Sequence, residues 1–138
     1  MSADAITAED VVDHLCAQGI GTKGTDAFHS FVPPAPAALF AVIPTAGWPR
    51  DNYLGTLNPT FQIRVRAETH DDALAKVVEI DQAFTAADGV RPANNFMLVD
   101  HYVFLAEWQQ EPLSAFIGYD ANGWAEYSLN LHLKVRRD

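Results

Sequence analysis

The most informative stretch of the sequence is Pro59-Thr60-Phe61-Gln62-Ile63-Arg64-Val65-Arg66-Ala67. Apolar side chains at positions 61, 63, 65 and 67 alternate with polar ones at 62, 64 and 66, which is the period of a strand with one buried face. Arg64 and Arg66 therefore leave the same face of the predicted strand. Because the chain has 18 Asp and Glu residues against 9 Lys and Arg, these two cations are expected to meet carboxylates, either within the fold or on a partner.

A helix is predicted directly after this strand. Thr69 can cap its first turn, and Asp71 and Asp72 lie where negative charge interacts favourably with the helix dipole. The helix is expected to run to about Ala86 and to end near Gly89. Its apolar stripe, spaced for packing on a core, comprises Ala73, Leu74, Val77, Val78, Ile80 and Phe84.

Another helix is predicted near the N-terminus. Thr7 can cap it, and Ile6 can pack on Val11 as a hydrophobic staple. Gly19 is the expected stop. The apolar stripe of this helix includes Cys16, the single cysteine of the chain, which is expected to be a small buried side chain without redox chemistry.

The remaining regular segments have the alternation of strands. Besides the strand at residues 61–67, these segments are Phe28–Val32, Leu39–Pro44, Phe96–Leu105 and Leu113–Tyr119. An Asn122-Gly123 turn then begins a hairpin whose last strand alternates over about a dozen residues, about twice the usual strand length. A strand this long is expected to extend past its own core. The order of elements predicts one α+β domain over residues 1–138, with a mostly antiparallel sheet of five to six strands and two helices packed on one face.

Composition restricts the class of protein. Apolar residues make up 49% of the chain, which predicts a globular fold, and no apolar run approaches the ~20 residues of a membrane-spanning helix. The first ten residues carry acids and no basic residue, so they lack the start of a secretory signal, and residence in a cytosol is expected. The net charge of -9 opposes a tight general hold on nucleic acid.

Residues suited to catalysis or metal binding do not form a recognisable set. The five histidines fall on different predicted elements without metal-ligand spacing. The serines in strand patterns lack a nucleophile-elbow glycine frame, and the acid pair Asp71-Asp72 is explained by its helix N-terminus. The sequence therefore predicts no catalytic residue, no cofactor and no metal site.

Aromatic and basic residues instead indicate contact with another protein, because Trp, Tyr and Arg are enriched at interfaces. The candidate interface residues are Trp48, Arg50 and Tyr53 in one loop, Arg64 and Arg66 on the strand, and Lys134, Arg136 and Arg137 at the C-terminus. Each group has an alternative: the loop can fold over its own core, the strand arginines can pair with acids of a neighbouring strand, and the C-terminal cations can be solvated. An acidic body with a basic end strand suits head-to-tail association, which builds a ring if the rotation closes.

Several segments, in order along the chain, carry a family resemblance. They are Val11-Val12-Asp13-His14-Leu15, Gly47-Trp48-Pro49, residues 59–66, the helix beginning near Asp72-Ala73, and Ile117-Gly118-Tyr119-Asp120-Ala121-Asn122-Gly123-Trp124-Ala125-Glu126-Tyr127-Ser128-Leu129-Asn130-Leu131. In this combination the chain resembles the tail terminator proteins, also called tail completion or minor tail proteins, of long-tailed bacteriophages.

The resemblance implies a non-enzymatic α+β subunit of the virion tail. Such a subunit is expected to form a homohexameric ring on the finished tail tube, to stop tube polymerisation and to offer a surface to the head-side connector protein. It is expected to be assembled in the host cytoplasm, to meet DNA only in transit through the channel, and to have no membrane partner.

Two alternatives stand beside this reading. The first is another assembly protein, a tail tube or head-side connector subunit, which differs in forming filaments or a different complex instead of a closed terminal ring. The second is a small α+β enzyme or ligand-binding domain, whose signature is a deep pocket lined by convergent polar groups.

Overall fold

The structure is a computed structural model that describes residues 6–45, 56–85, 94–98, 101–109 and 114–136. These residues form two helices and eight strands. The helices are α1, Ala8–Ala17, and α2, His70–Ala83. The strands are β1, Ala27–His29, β2, Leu39–Pro44, β3, Thr56–Leu57, β4, Thr60–Ala67, β5, Asn94–Leu98, β6, His101–Trp108, β7, Ala115–Tyr119, and β8, Ala125–Arg136.

The start of α1 has the predicted cap. The Thr7 hydroxyl accepts a hydrogen bond from the Asp10 backbone N–H at 3.2 Å, and the Asp10 carboxylate accepts one from the Thr7 backbone N–H at 2.9 Å. This reciprocal capping box satisfies two amides that the helix itself leaves without partners. Val11, Val12 and Leu15 are fully buried, so this part of the apolar stripe faces the core. Cys16, which was predicted to be buried, is only partly buried and packs against the same core.

Helix α2 also begins at its predicted cap, because Thr69 Oγ1 accepts a hydrogen bond from the Asp72 backbone N–H at 3.2 Å. It ends at Ala83, earlier than predicted, and Ala86 and Gly89 lie outside the described residues. The stripe that packs on the core is also narrower than predicted.

The core-facing residues of α2 and its C-cap are Ala73, Val77, Ile80 and Phe84. Leu74 and Val78 remain 40% and 52% exposed, so the prediction that they widen the buried stripe is wrong. Each follows a buried residue by one position, and a step of one residue turns the side chain by about 100° around the helix axis. Helix α2 therefore packs on the core only through the narrower stripe of Ala73, Val77, Ile80 and Phe84.

The sheet has the order β1-β2-β4-β8-β6-β5, and the short strands β3 and β7 pair with β8 beside this path. All pairs are antiparallel except β1 with β2. The strand count therefore exceeds the predicted five to six, while the α+β class and the mainly antiparallel pairing are confirmed. Both helices contribute side chains to one core with the sheet, and their placement on a single face stays a prediction.

Three predicted strands have different bounds in the structure. The strand predicted at Leu113–Tyr119 begins at Ala115. The segment Phe96–Leu105 is divided between β5 and β6, which pair antiparallel with Leu98 opposite His101. The two positions between these strands, 99 and 100, hold no glycine or proline. The sequence therefore has no turn signal there, and the strand pattern continues from one segment into the next. The segment Phe28–Val32 ends as a strand at His29, because Ser30 takes a left-handed backbone conformation with φ of 69°.

Strand β8 lies in the interior of the sheet and pairs with four other strands. Its residues 125–132 pair with β4 on one edge, and residues 135 and 136 pair with β3 on the same edge. The opposite edge pairs with β7 at residues 125–128 and with β6 at residues 131–135. The predicted long strand is confirmed, but the prediction that it extends past its own core is wrong, since all twelve residues have partners within the chain.

Candidate assembly surfaces

The sheet face opposite the core carries the two arginines of β4. Arg64 lies across from Ser128 and Arg66 across from Glu126 in the β4–β8 register. The Arg64 guanidinium donates from Nη2 to Glu126 Oε1 at 2.9 Å. A charge-assisted bond of this length is stronger than a bond between neutral groups. One carboxylate expected from the acidic composition is thus on the neighbouring strand.

Arg66 is buried, with 4% of its surface exposed. Its Nη2 donates to the Pro36 carbonyl at 2.6 Å and its Nε donates to the Ala37 carbonyl at 3.3 Å. Nη1 lies 3.7 Å from Asp120 Oδ2, and the guanidinium carbon lies 5.1 Å from the centroid of the Trp124 ring. Arg66 therefore contacts both the loop before β2 and the turn before β8 and connects them.

Arg64 and Arg66 thus differ in what they offer to a partner. Both have carboxylate partners within the chain, which is one of the two alternatives left open by the sequence. The Arg64 side chain keeps 29% of its surface exposed, and its Nε makes no hydrogen bond to any described residue. A role at an interface remains a proposal for Arg64, while the burial of Arg66 gives it a structural role in the monomer.

Two of the predicted C-terminal cations belong to a second surface, which we call the basic patch. Val103 and Val135 form a buried pair, so their neighbours Tyr102 and Arg136 lie on the opposite face of the sheet. The Arg136 guanidinium carbon is 5.3 Å from the Tyr102 ring centroid, within cation–π range. The basic patch comprises Met97, Tyr102, Phe104, Lys134 and Arg136.

A third surface was not found from the sequence. His70 Nδ1 is hydrogen-bonded to the Tyr127 hydroxyl at 2.8 Å, and His70 Nε2 to the Tyr119 hydroxyl at 2.6 Å. The Phe116 ring packs on the same imidazole with 4.9 Å between centroids. This cluster joins β7 to the start of α2. His70 could be recognised from the sequence only as an isolated histidine, since its partners lie 46 to 57 residues further along the chain.

The surface around this cluster is apolar and bordered by acids. We call it the acidic patch, and it comprises Leu74, Val78, Phe116 and Tyr119 together with Glu68 and Asp71. Tyr119 is 62% exposed and Phe116 is 45% exposed. Asp71, Leu74 and Val78 follow the i, i+3, i+7 spacing of neighbours on one helix face.

The remaining candidate interface residues are Trp48, Arg50, Tyr53 and Arg137, and all lie outside the described residues. Their role as interface residues stays a prediction.

Polar groups that resemble a catalytic set have structural partners. His132 is fully buried, with Nδ1 2.8 Å from Glu107 Oε1 and Nε2 3.2 Å from Asn58 Oδ1. This network joins β6, β8 and the residue after β3. Burial raises the pKa of the Cys16 thiol, which disfavours the reactive thiolate.

The described part of the chain contains no group of three or more His, Cys, Asp or Glu residues arranged to hold a metal ion. A hollow of about 290 Å³ lies between the ends of the two helices. Its lining consists of Gln18, Gly19, Ile20, Glu79, Gln82 and Ala83. Glu79 is paired with Lys76 at 2.7 Å, and the lining residues that the structure describes include no histidine, cysteine or hydroxyl side chain. Neither described helix is long and apolar enough to cross a membrane.

Comparison with known proteins identifies the family of this chain. Residues 14–137 match a family model described as bacteriophage tail terminator protein. The chain belongs to the bacteriophage tail terminator family. It is thus a structural tail protein of a bacteriophage, as its ordered segments predicted.

The structural comparison agrees with this tail terminator assignment at the level of fold. A chain from the "Virion of native gene transfer agent (GTA) particle" is similar with a TM-score of 0.61 and 16% sequence identity. The alignment covers 98% of this tail terminator and 98% of that chain. At this identity the similarity shows a shared fold. A search of curated proteins finds no match.

Proposed function

We propose that this tail terminator is a single domain that forms a homohexameric ring on the end of the phage tail tube, ends tube polymerisation and joins the tube to the head-side connector. The observation that carries the proposal is the family match over residues 14–137. Assembly in the host cytoplasm and placement in the virion tail belong to the same proposal, as does a non-enzymatic role.

Exposed surfaces of the subunit support self-association. The acidic patch and the basic patch expose large apolar side chains, which monomeric proteins rarely leave in contiguous groups. Arg64, whose side chain is 29% exposed, is a candidate for a further contact between copies. The loop with Trp48, Arg50 and Tyr53 and the terminal Arg137 are candidates for contact with the tube or the connector.

The charge of the subunit suits a ring through which DNA passes. Phosphate binding needs clustered lysine and arginine, whereas this chain has a net charge of -9. Three arginines of the described sheet are engaged within the chain, since Arg64 and Arg66 have carboxylate partners and Arg136 stacks on Tyr102. A conduit lined by such subunits would repel DNA and allow its transit.

The two structural alternatives differ from this proposal in how the protein assembles. A tail tube subunit extends into filaments, whereas a terminator closes into a ring and stops. A head-side connector subunit binds the head and does not change the length of growing tubes. The kind of assembly that the purified protein forms therefore distinguishes the proposed function from the two alternatives.

The test combines mass measurement with tube growth. The purified protein is examined alone by analytical ultracentrifugation and electron microscopy, and is then added to polymerising tail tube protein. We expect closed rings in the first experiment and shorter tubes capped at one end in the second. A protein that stays monomeric at all concentrations and never binds tubes would contradict the proposal, and filaments of the protein alone would favour a tube subunit.

A further inference from the structure

The acidic patch is a continuous apolar stripe that the core does not use. His70, Leu74 and Val78 follow the i, i+4, i+8 spacing along α2, and His70 contacts both Phe116 and Tyr119 of β7. The stripe therefore runs from β7 along the exposed side of the helix. Its charged neighbours Glu68 and Asp71 are both exposed and both acidic.

The basic patch has the opposite charge and a similar apolar content. Met97 is 55% exposed and Phe104 is 37% exposed, and Met97 lies directly across from Tyr102 in the β5–β6 register. The cations Lys134 and Arg136 lie on the same side of β8, two residues apart. Exposed aromatic and aliphatic groups beside a cation suit a partner that is apolar and negatively charged.

The two patches cannot touch within one subunit. Phe116 is paired with Tyr127 near the start of β8, while the basic patch surrounds Arg136 at its end. Nine residues of extended strand separate these positions by about 30 Å. Phe116 also lies on the core side of the sheet, where it meets His70, and Arg136 lies on the other side. Two complementary surfaces that face apart on one chain suit a head-to-tail contact between copies.

We infer that the acidic patch of one subunit binds the basic patch of the next subunit in the ring. Leu74, Val78 and Phe116 would be covered by the apolar side chains around Tyr102 and Phe104, with Asp71 near Arg136. Because the joined surfaces differ, an open chain of subunits keeps one free patch at each of its two ends until the ring closes. The inference rests on the proposed ring and names the surfaces that form it.

The test blocks each patch separately at an exposed position. Val78→Arg places a cation in the acidic patch, where it repels the cations of the neighbouring copy. Phe104→Glu places an acid in the basic patch, where it repels Asp71. Each variant is expected to remain folded and monomeric, with association weakened more than about 30-fold. Phe31→Glu is the matched control, since Phe31 is also exposed, at 58%, but lies outside both patches.

Mixing the two variants gives the sharper result. The Val78→Arg subunit keeps an intact basic patch and the Phe104→Glu subunit keeps an intact acidic patch, so the mixture is expected to form dimers that grow no further. The control variant is expected to form rings like the wild type. Leu74→Lys and Met97→Glu replace the first pair if either variant loses its circular dichroism spectrum or its cooperative melting.

The outcomes separate the inference from the proposed function. Rings formed by either blocked variant, or a mixture that stays monomeric, would overturn the pairing of the two patches and leave the ring itself standing. A wild-type protein that forms no ring would overturn both. Loss of rings in the Phe31→Glu control would also overturn the assignment, because disruption would then not be specific to the patches.

Discussion

The guanidinium of Arg66 lies over the indole ring of Trp124, 5.1 Å from its centroid, on the sheet face opposite the core. The same guanidinium donates to two consecutive carbonyls, those of Pro36 and Ala37. One side chain thus joins the loop before β2, strand β4 and the turn before β8. The burial of this cation indicates that its main contribution is to the stability of the subunit.

Replacing Arg66 with Ala is expected to lower the free energy of unfolding by about 3 kcal/mol, because the carbonyls of Pro36 and Ala37 and the nearby carboxylates lose their buried partner. Arg64→Ala is the matched control on the same strand face. Its side chain is 29% exposed, and its loss is expected to cost about 1 kcal/mol or less. Urea unfolding of both variants measures the difference, and equal costs would contradict the assignment.

Stability is expected to fall in acid because of His14. Its Nε2 is buried without a hydrogen bond to any described residue, and its ring packs on Phe84 and Phe96. Burial lowers the pKa of His14 below its ordinary value of 6.5. The unfolded chain therefore takes up a proton at a higher pH than the folded chain does, so folding loses stability as the pH falls below about 6.5.

The variant His14→Leu removes this titration. Urea midpoints measured between about pH 7.5 and pH 5 are expected to fall less steeply for the variant than for the wild type. The difference between the two proteins cancels the contributions of the other histidines. Parallel pH profiles would show that His14 does not titrate differently in the two states.

Gly21 is predicted to be needed for its small size. A Cβ at this position would lie 2.9 Å from Cε1 of the buried Phe40 and 3.1 Å from Oδ1 of Asp26. Gly21→Ala is therefore expected to lower stability by about 1–3 kcal/mol. Adding Phe40→Leu removes the contacted ring atom and is expected to reduce the effect of the added methyl group in a double-mutant cycle.

Gly19→Ala is the comparison for this cycle. Gly19 has a φ of +80° and no neighbour within 4 Å of an added Cβ, so its cost of about 1 kcal/mol comes from the backbone alone. Phe40→Leu is expected to leave that cost unchanged. Equal coupling of Phe40→Leu to both glycine variants would exclude the steric explanation.

Lys23 is expected to control the titration of Glu9. Lys23 Nζ lies 2.6 Å from Glu9 Oε2 and 3.1 Å from Asp13 Oδ1. Its hydrogen bond and charge lower the pKa of Glu9 below the ordinary 4.5. Lys23→Ala should raise this pKa, as measured by NMR titration of the Glu9 carboxyl carbon, while Lys76→Ala, which removes a different ion pair, should leave it unchanged. A Glu9 pKa that is the same in the wild type and in Lys23→Ala would exclude the pairing.

Local signals predicted the helices and the long strand. The capping residues Thr7 and Thr69 depend on neighbours three positions away, and the alternation of residues 125–136 depends only on the period of a strand. The reversal between Leu98 and His101 gave no such signal, because both flanking segments are apolar and continuous in pattern. The parallel pairing of β1 with β2 likewise depends on contacts that a one-dimensional pattern does not contain.

Assignment of the surfaces required the structure. The spacing of Leu74 and Val78 is compatible with a wide buried stripe, but the area of sheet available to α2 decides how much of that stripe is covered. The partner of Arg64, Glu126, lies 62 residues away, so sequence alone left internal and intermolecular carboxylates equally open. Lys134 and Arg136 were interface candidates from the sequence, and that role stays a prediction, while their aromatic neighbours emerged from the β5–β6–β8 register.

The place of β8 in the chain has a consequence for biosynthesis. Strands β3, β4, β6 and β7 all pair with β8, which follows them in the order of translation. A nascent chain that still lacks β8 cannot complete its sheet, and such late, distant pairings make folding depend on the last strand. It also lacks Lys134 and Arg136 and the strand that holds β7. A chain that ends before β8 therefore cannot form this sheet, and under the proposed pairing of patches it would also be unable to enter a ring.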